Sequence, residues 1–189
     1  DVSSSGRQPF VSDDSSTCLI ANGEIYNYKV LRDQLKANGS NFNSESDSEV
    51  ILKGYIANGL DYVKNMRGMF AYAIYDNKNK LTLIARDRQG IKPVYYYYDD
   101  EVLIFSSEMN SLLESGLIER KINPTVLKQF IEFGYVPEPE TLVENIKMLE
   151  PGHQLILKNS IVTIESFWIP PDQEKGSLSV DSTIKKTKE

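Results

Sequence analysis

Reactive side chains are scarce in this chain: among 189 residues there is one cysteine, one histidine and one tryptophan. A lone Cys18 cannot close an internal disulfide, and in "STCLIAN" it reads as a small residue on a sheet. A lone His153, in a "PGHQL" turn, has no partner with which to build a catalytic triad and reads as structural. With so few nitrogen and sulfur ligands, no metal site is expected. No apolar run reaches the ~20 residues a bilayer-spanning helix needs, and no signal-peptide pattern is present, so the expectation is a cytoplasmic protein with no membrane partner. Basic charge is also short, with 21 Lys and Arg against 27 Asp and Glu, a net charge of −6. That balance excludes the basic footprint of a nucleic-acid-binding protein.

What the chain does have is an ordinary globular balance, 40% hydrophobic and 25% charged residues, in a length that suits one domain with a sizeable core. Its eleven tyrosines fall mostly in strand-like runs. A strand in "TCLIANGEIY" leads to a corner, then to a helix over residues 28–36 with Val30, Leu31 and Leu35 as its apolar stripe. A second helix opens at Ser46, which with Glu49 matches a capping box, and buries Val50, Ile51, Tyr55 and Ile56. In "GMFAYAIYD" Phe70, Tyr72 and Ile74 alternate with Met69, Ala71, Ala73 and Tyr75; both faces are apolar, so this strand is expected to be covered on both sides. Hairpin partners follow in "LTLIARD", "VYYYY" and "VLIFSS", then a serine-started helix in "SSEMNSLLESG". "NPTVLKQFIEFG" carries the fullest set of helix marks, with Asn123 as cap, Pro124 at the first position and Gly134 after the end. A last hairpin in "HQLILKNSIVTIESFW" turns at Asn159-Ser160. Antiparallel hairpins covered on both faces, with helices before and after, predict an α+β layered sandwich.

Two places carry candidate chemistry. Asn22-Gly23-Glu24 is either ordinary strand-to-helix turn chemistry, with Asn22 capping the helix, or a pair of convergent donors. In the second case the Asn22 side-chain amide and the Gly23 backbone N–H form an oxyanion hole, and Glu24 is free to hold an ammonium group. Asp47, in "SESDSEV", is either a helix N-terminal carboxylate or a second acceptor for that ammonium. In "ARDRQGIKP" the basic residues Arg86, Arg88 and Lys92 are interleaved with acid and no glycine-rich cradle precedes a helix. A structural ion-pair turn, with Gly90 at positive φ, is favoured there over phosphate binding.

Taken in order, "NGEIYNY", "SDSEVIL", "RGMFAYAIYD", "ARDRQGIKPVYY" and "FSSEMNSLL" resemble the class II glutamine amidotransferase domain of the glutamine-hydrolysing asparagine synthetases. The resemblance covers residues 1–168, including "YVPEPETL" and "LEPGHQL", and 120–168 resembles the stretch that leads toward the synthetase domain. It implies an N-terminal-nucleophile hydrolase fold, a four-layer αββα sandwich of two antiparallel sheets. It also implies that Asn22 and Gly23 are the oxyanion-hole donors, and that Asn22, Gly23, Glu24 and Asp47 hold L-glutamine. The implied activity is glutamine hydrolysis supplying ammonia for ATP-dependent amidation of aspartate to asparagine. The partners are the synthetase domain of the parent, with a homodimer as one expected assembly.

In that family the nucleophile is an N-terminal cysteine whose own α-amine acts as base. Here the first residue is Asp1, and "VSSSGRQPF" resembles a segment several dozen residues inside the family domain. The expectation is therefore a domain incomplete at its N-terminus, lacking the nucleophilic cysteine and inactive as a glutaminase by itself. No glycine-rich pyrophosphate loop is present either, so no cofactor is expected in this chain, and ATP and Mg2+ belong to the synthetase domain of the parent. Residues 169–189 read as a linker or the start of that domain. Two other functions stay open at the level of sequence: a related amidotransferase acting on another carboxylate, and a non-catalytic glutamine-binding or interaction module.

Overall fold

In the computed structural model, which describes residues 6–170, the chain is organised around one two-faced strand. This strand, β3 (Gly68–Asp76), pairs antiparallel with β2 (Thr17–Ile25) on one side and β4 (Leu81–Arg86) on the other. Successive side chains on a strand point to opposite faces. Phe70, Tyr72 and Ile74 therefore enter one core together, while Ala71 and Ala73 enter another. Phe70 and Ile74 are fully buried, and each such side chain stabilises the fold by roughly 1.5–3 kcal/mol.

A two-residue strand, β1 (Phe10–Val11), lies on the outer edge of β2, and the hairpin β8 (His153–Lys158) and β9 (Ile161–Ser166) extends the sheet beyond β4. The result is a six-stranded antiparallel sheet, β1-β2-β3-β4-β8-β9. A second, three-stranded antiparallel sheet has the order β6-β5-β7, built from β5 (Tyr95–Tyr98), β6 (Leu103–Ser106) and β7 (Lys147–Met148).

Three cores divide the described residues into four layers. Helices α1 (Tyr28–Ala37) and α2 (Asp47–Asn58) bury Leu31, Leu35, Val50 and Ile51 against the large face of β3. The small face of β3 packs on Val94, Tyr96 and Leu149 of the second sheet and its connections. The far side of that sheet, through Tyr95, Tyr97 and Ile104, meets Leu112 of α3 (Met109–Leu113). Helix, sheet, sheet, helix is the αββα order.

Several sequence expectations need correction. Asn22-Gly23-Glu24 is not a corner: the three residues continue β2, and Asn27 takes the cap position of α1 without a side-chain cap bond. Val30 and Ile56, expected on buried stripes, are exposed, and Arg32 is buried in α1. Ser46 does cap α2 by accepting from the Ser48 N–H, but Glu49 reaches past it to the N–H groups of Asn43 and Ser44. The cap of α3 is Glu108, not a serine. Strands β1 and β7 are too short to leave any periodicity in sequence. For residues 169–189, everything from residue 171 on lies outside the described residues.

Other expectations hold. The Asn159-Ser160 pair turns the last hairpin with φ of 52° and 60°. The "ARDRQGIKP" turn is structural, with Gly90 at φ 65°. Its Asp87 is fully buried and accepts from four backbone N–H groups, those of Phe70, Gln89, Ile91 and Lys92. Arg86 donates to the carbonyls of Lys92, Gly90 and Leu149 and forms its ion pair with Glu138 at 2.9 Å, not with the neighbouring acid. A guanidinium so occupied has no capacity left for phosphate. The helix α4 (Pro124–Phe133) realises every mark it carries, with Asn123 accepting from Thr125 and Val126 and Gly134 left-handed at its end, yet only Val126 is buried.

Candidate active site

The backbone of β2 sets the geometry. Ala21 turns both its N–H and its carbonyl to the outer edge of the sheet, where the Gln8 side-chain amide bonds both, at 2.6 and 2.7 Å. Outward N–H groups recur every second residue. At Leu19 the outer neighbour is Phe10 of β1, and at Ile25 the N–H donates to Asp47 Oδ2 at 2.8 Å. Between them stands Gly23. Its cross-strand partner, Phe70, spends its N–H and carbonyl on Asp87 on the far side of β3, so the Gly23 N–H takes no bond from the ladder. Among the described residues it has no acceptor.

Only glycine fits this position. Its φ is +136°, and a Cβ built there would lie 2.0 Å from the Met69 carbonyl oxygen. Gly68, on the adjoining strand, makes the matching approach: a Cβ built there would lie 2.1 Å from the Glu24 carbonyl oxygen. The two strands are thus drawn together beside this donor, and the donor is held on a ladder instead of a loop.

Asn22 projects to the opposite face from Leu19 and Ile25, into a cleft between the two sheets. The cleft has a volume of about 390 Å³ and is walled by Ile20, Ala71, Ala73, Ile84 and Phe105, with Ser106, Ser107 and Ser111 at one side. Alanines on the inner face of β3 leave this space open, since larger side chains would fill it. The Asn22 Nδ2 lies 3.3 Å from Ser107 Oγ, a long bond from the six-stranded sheet to the segment after β6. An amide N–H and a backbone N–H on consecutive residues of one strand can address a single developing negative charge.

Asp47 reaches the outer edge of β2 from the helical layer. It is the first residue of α2, half-buried, and its Oδ2 is the acceptor of the Ile25 N–H. Glu24 is exposed, and its side chain makes no hydrogen bond or ion pair among the described residues; alternation puts it on the Asn22 face. Asn22 and Glu24 thus lie on the cleft face of β2, while Asp47 reaches the outer edge of the same strand at Ile25, two residues beyond Gly23. Cys18 is on the same strand, four residues or about 13 Å from Asn22, too far to attack a carbonyl held there. His153 begins β8 and bonds the Pro151 carbonyl at 2.8 Å, a structural contact. Gathered sets of three or more His, Cys, Asp or Glu side chains do not occur among the described residues.

Residues 1–168 match the family described as the glutamine amidotransferase domain. The chain belongs to this family. It is 39% identical over 153 residues to asparagine synthetase [glutamine-hydrolyzing] 1 of Bacillus subtilis (strain 168), covering 81% of this chain and 24% of that protein. It is 35% identical over 156 residues to the amidase chyE of Penicillium rubens, covering 82% of this chain and 22% of the other. The chain thus spans about a quarter of the length of these curated relatives. Among solved structures it is similar to the glutamine phosphoribosylpyrophosphate amidotransferase of B. subtilis, with a TM-score of 0.58 and 23% identity over 86% of this chain and 32% of that one. That likeness establishes the fold, the N-terminal-nucleophile hydrolase sandwich of the amidotransferases.

Sequence reasoning missed Gln8, Ser107 and Gly68. Gln8 and Ser107 are ordinary surface residue types whose roles exist only because distant segments meet β2. Gly68 had a usable signal, a glycine at the entry of a strand, which marks close approach of another backbone.

Proposed function

We propose that this chain is the glutaminase part of a glutamine-dependent asparagine synthetase. The observation that supports it is the Gly23 N–H, which has no acceptor among the described residues, beside the Asn22 amide, with Glu24 next to it on the strand and Asp47 on the Ile25 N–H. Glutamine needs each of these. Its γ-carbonyl oxygen becomes an oxyanion when a thiolate adds to the carbonyl carbon, and Asn22 and Gly23 are set to receive that charge. Collapse of the adduct expels ammonia and leaves a thioester, which water hydrolyses to glutamate. Glu24 and Asp47 would compensate the α-ammonium, with Asp47 kept in place by the Ile25 N–H. The attacking thiol has no counterpart among the described residues.

In the parent, ammonia would pass to an ATP- and Mg2+-dependent synthetase domain that activates aspartate. The glutamine half of this chemistry does not depend on the acceptor, and the relatives include an amidase as well as synthetases. Another carboxylate is therefore the second acceptor to test.

The experiment is a glutamine titration of this chain followed by 15N-detected amide shifts. Saturable shifts at Gly23 and Ile25, lost when the α-amine of glutamine is replaced by hydrogen, support the assignment. Absence of any shift at millimolar glutamine overturns it. Supplying the whole protein with aspartate, MgATP and glutamine and measuring asparagine decides the acceptor.

A further inference from the structure

Arg32 is a charged residue buried in a place where burial is costly. Its side chain is 4% exposed. The guanidinium lies over two aromatic rings, 5.6 Å from the centre of Tyr28 and 5.1 Å from that of Phe42. Nη1 pairs with Glu45, whose side chain is almost wholly in solvent, and Nη2 donates to the Ser46 carbonyl at 2.8 Å. Among the described residues the Nε has no partner. A half-satisfied buried ion paired with an exposed acid adds little net stability. What the arrangement does supply is a fixed position for the segment it grips.

That segment is residues 42–46, and it ends on the cap of α2. Ser46 is the cap residue and Asp47 the first residue of the helix. Glu49, also buried, holds the same segment from within α2 through the N–H groups of Asn43 and Ser44. Glu49 therefore shapes the loop relative to its own helix. Arg32 instead belongs to α1, which begins three residues after β2 ends. Of the two clamps, Arg32 alone ties the start of α2 to the element that follows the candidate site strand.

We propose that Arg32 is a positioning residue for Asp47: by fixing the Ser46 carbonyl it sets the Asp47 carboxylate against the Ile25 N–H, and so sets the ammonium end of the glutamine site. The substrate half of this statement rests on the glutaminase assignment above; the geometric half does not. Arginine is needed because the fork must grip a carbonyl and a carboxylate while its plane stacks on Phe42 and Tyr28; a lysine point charge cannot do all three.

The test uses this chain with Arg32→Lys and Arg32→Gln, and reads the Ile25 amide by NMR shift and hydrogen exchange. Arg32→Gln should cut Ile25 amide protection about tenfold, the scale of losing one hydrogen bond to a charged group, and shift its signal as Asp47→Ala does. Ile74, in the core of β3, should keep its protection. Arg32→Lys, which keeps the charge and stem and is the safer variant for folding, should give the same Ile25 change to a smaller degree. Glutamine affinity should fall with Arg32→Gln, and fall no further when Arg32→Gln is added to Asp47→Ala. An Ile25 amide unchanged in both Arg32 variants, with changes confined to residues 42–46, overturns the proposal. So does an equal loss of protection at Ile25 and Ile74, which is global destabilisation. Should the Ile25 effect appear while the wild-type chain binds no glutamine, the positioning of Asp47 stands and the substrate assignment falls.

Discussion

Gly23 and Gly68 are wedged against each other's neighbours across the β2–β3 ladder: a Cβ on Gly23 would meet the Met69 carbonyl at 2.0 Å, and one on Gly68 the Glu24 carbonyl at 2.1 Å. The contact is reciprocal, and both partners are backbone, so neither side can yield by changing a rotamer. A donor next to such a wedge keeps its direction when a ligand pulls on it.

Gly23→Ala should therefore destabilise the domain by about 2 kcal/mol or more, combining a positive φ with a backbone collision. Gly39→Ala is the matched control. Gly39 also has a positive φ, +91°, but open space around it, so its cost should be about 1 kcal/mol. Urea unfolding of the two variants measures the difference, and equal losses would remove the collision from the account.

In the whole protein, Asn22→Ala should lower kcat for glutamine hydrolysis by about 100- to 1000-fold with little change in KM, as expected for a donor that acts on the oxyanion. Asp47→Asn should behave in the opposite way. The asparagine keeps an oxygen for the Ile25 N–H but loses the charge proposed to compensate the ammonium, so KM should rise roughly 10- to 100-fold while kcat holds. Synthesis from free ammonia should survive both. A rise confined to KM in Asn22→Ala would return that residue to a binding role.

Asp76 makes an acid-labile contribution to stability. Burial by itself would raise its pKa, but hydrogen bonds from the Asn79 N–H and side chain and from the Tyr55 hydroxyl outweigh that, and the net direction is downward. A carboxyl depressed in the folded state stabilises it above the unfolded value, near pH 4, and loses that contribution as pH falls through the folded value. Denaturant unfolding at pH 5 and pH 3 should show a smaller drop for Asp76→Asn than for the wild type. Parallel drops would place the acid sensitivity elsewhere.

The outer face of α4 should tolerate charge. Phe130, Ile131 and Phe133 are exposed, Ile131 at 76%, so Ile131→Lys should alter unfolding free energy by no more than about 0.5 kcal/mol. It should also reduce concentration-dependent self-association in light scattering, because an apolar stripe of this kind favours contact between molecules. A large loss of stability would mean the stripe is covered in solution.

The α+β class, the two-sided strand at residues 68–76 and the tightly marked helix at 124–133 were legible in the residues, because periodicity and caps are local properties; the residues of Asn-Gly-Glu and Asp47 left turn and site open, and only the family resemblance chose between them. Strand β2 shows where local logic stops. Asn22-Gly23 has the chemistry of a turn, yet the ladder to β3 holds it extended, since nine paired residues and the close approach at Gly68 outweigh the preference of one dipeptide. Arg32 looks like a solvent-facing helix residue until Tyr28, Phe42 and Ser46 close around it. The donors, the acids and their order along the chain are sequence properties. That the Gly23 N–H points to the outer edge of β2, and that Asp47 reaches that edge from another layer, was decided by tertiary pairing, because hydrogen-bond direction along a strand depends on which partner it finds.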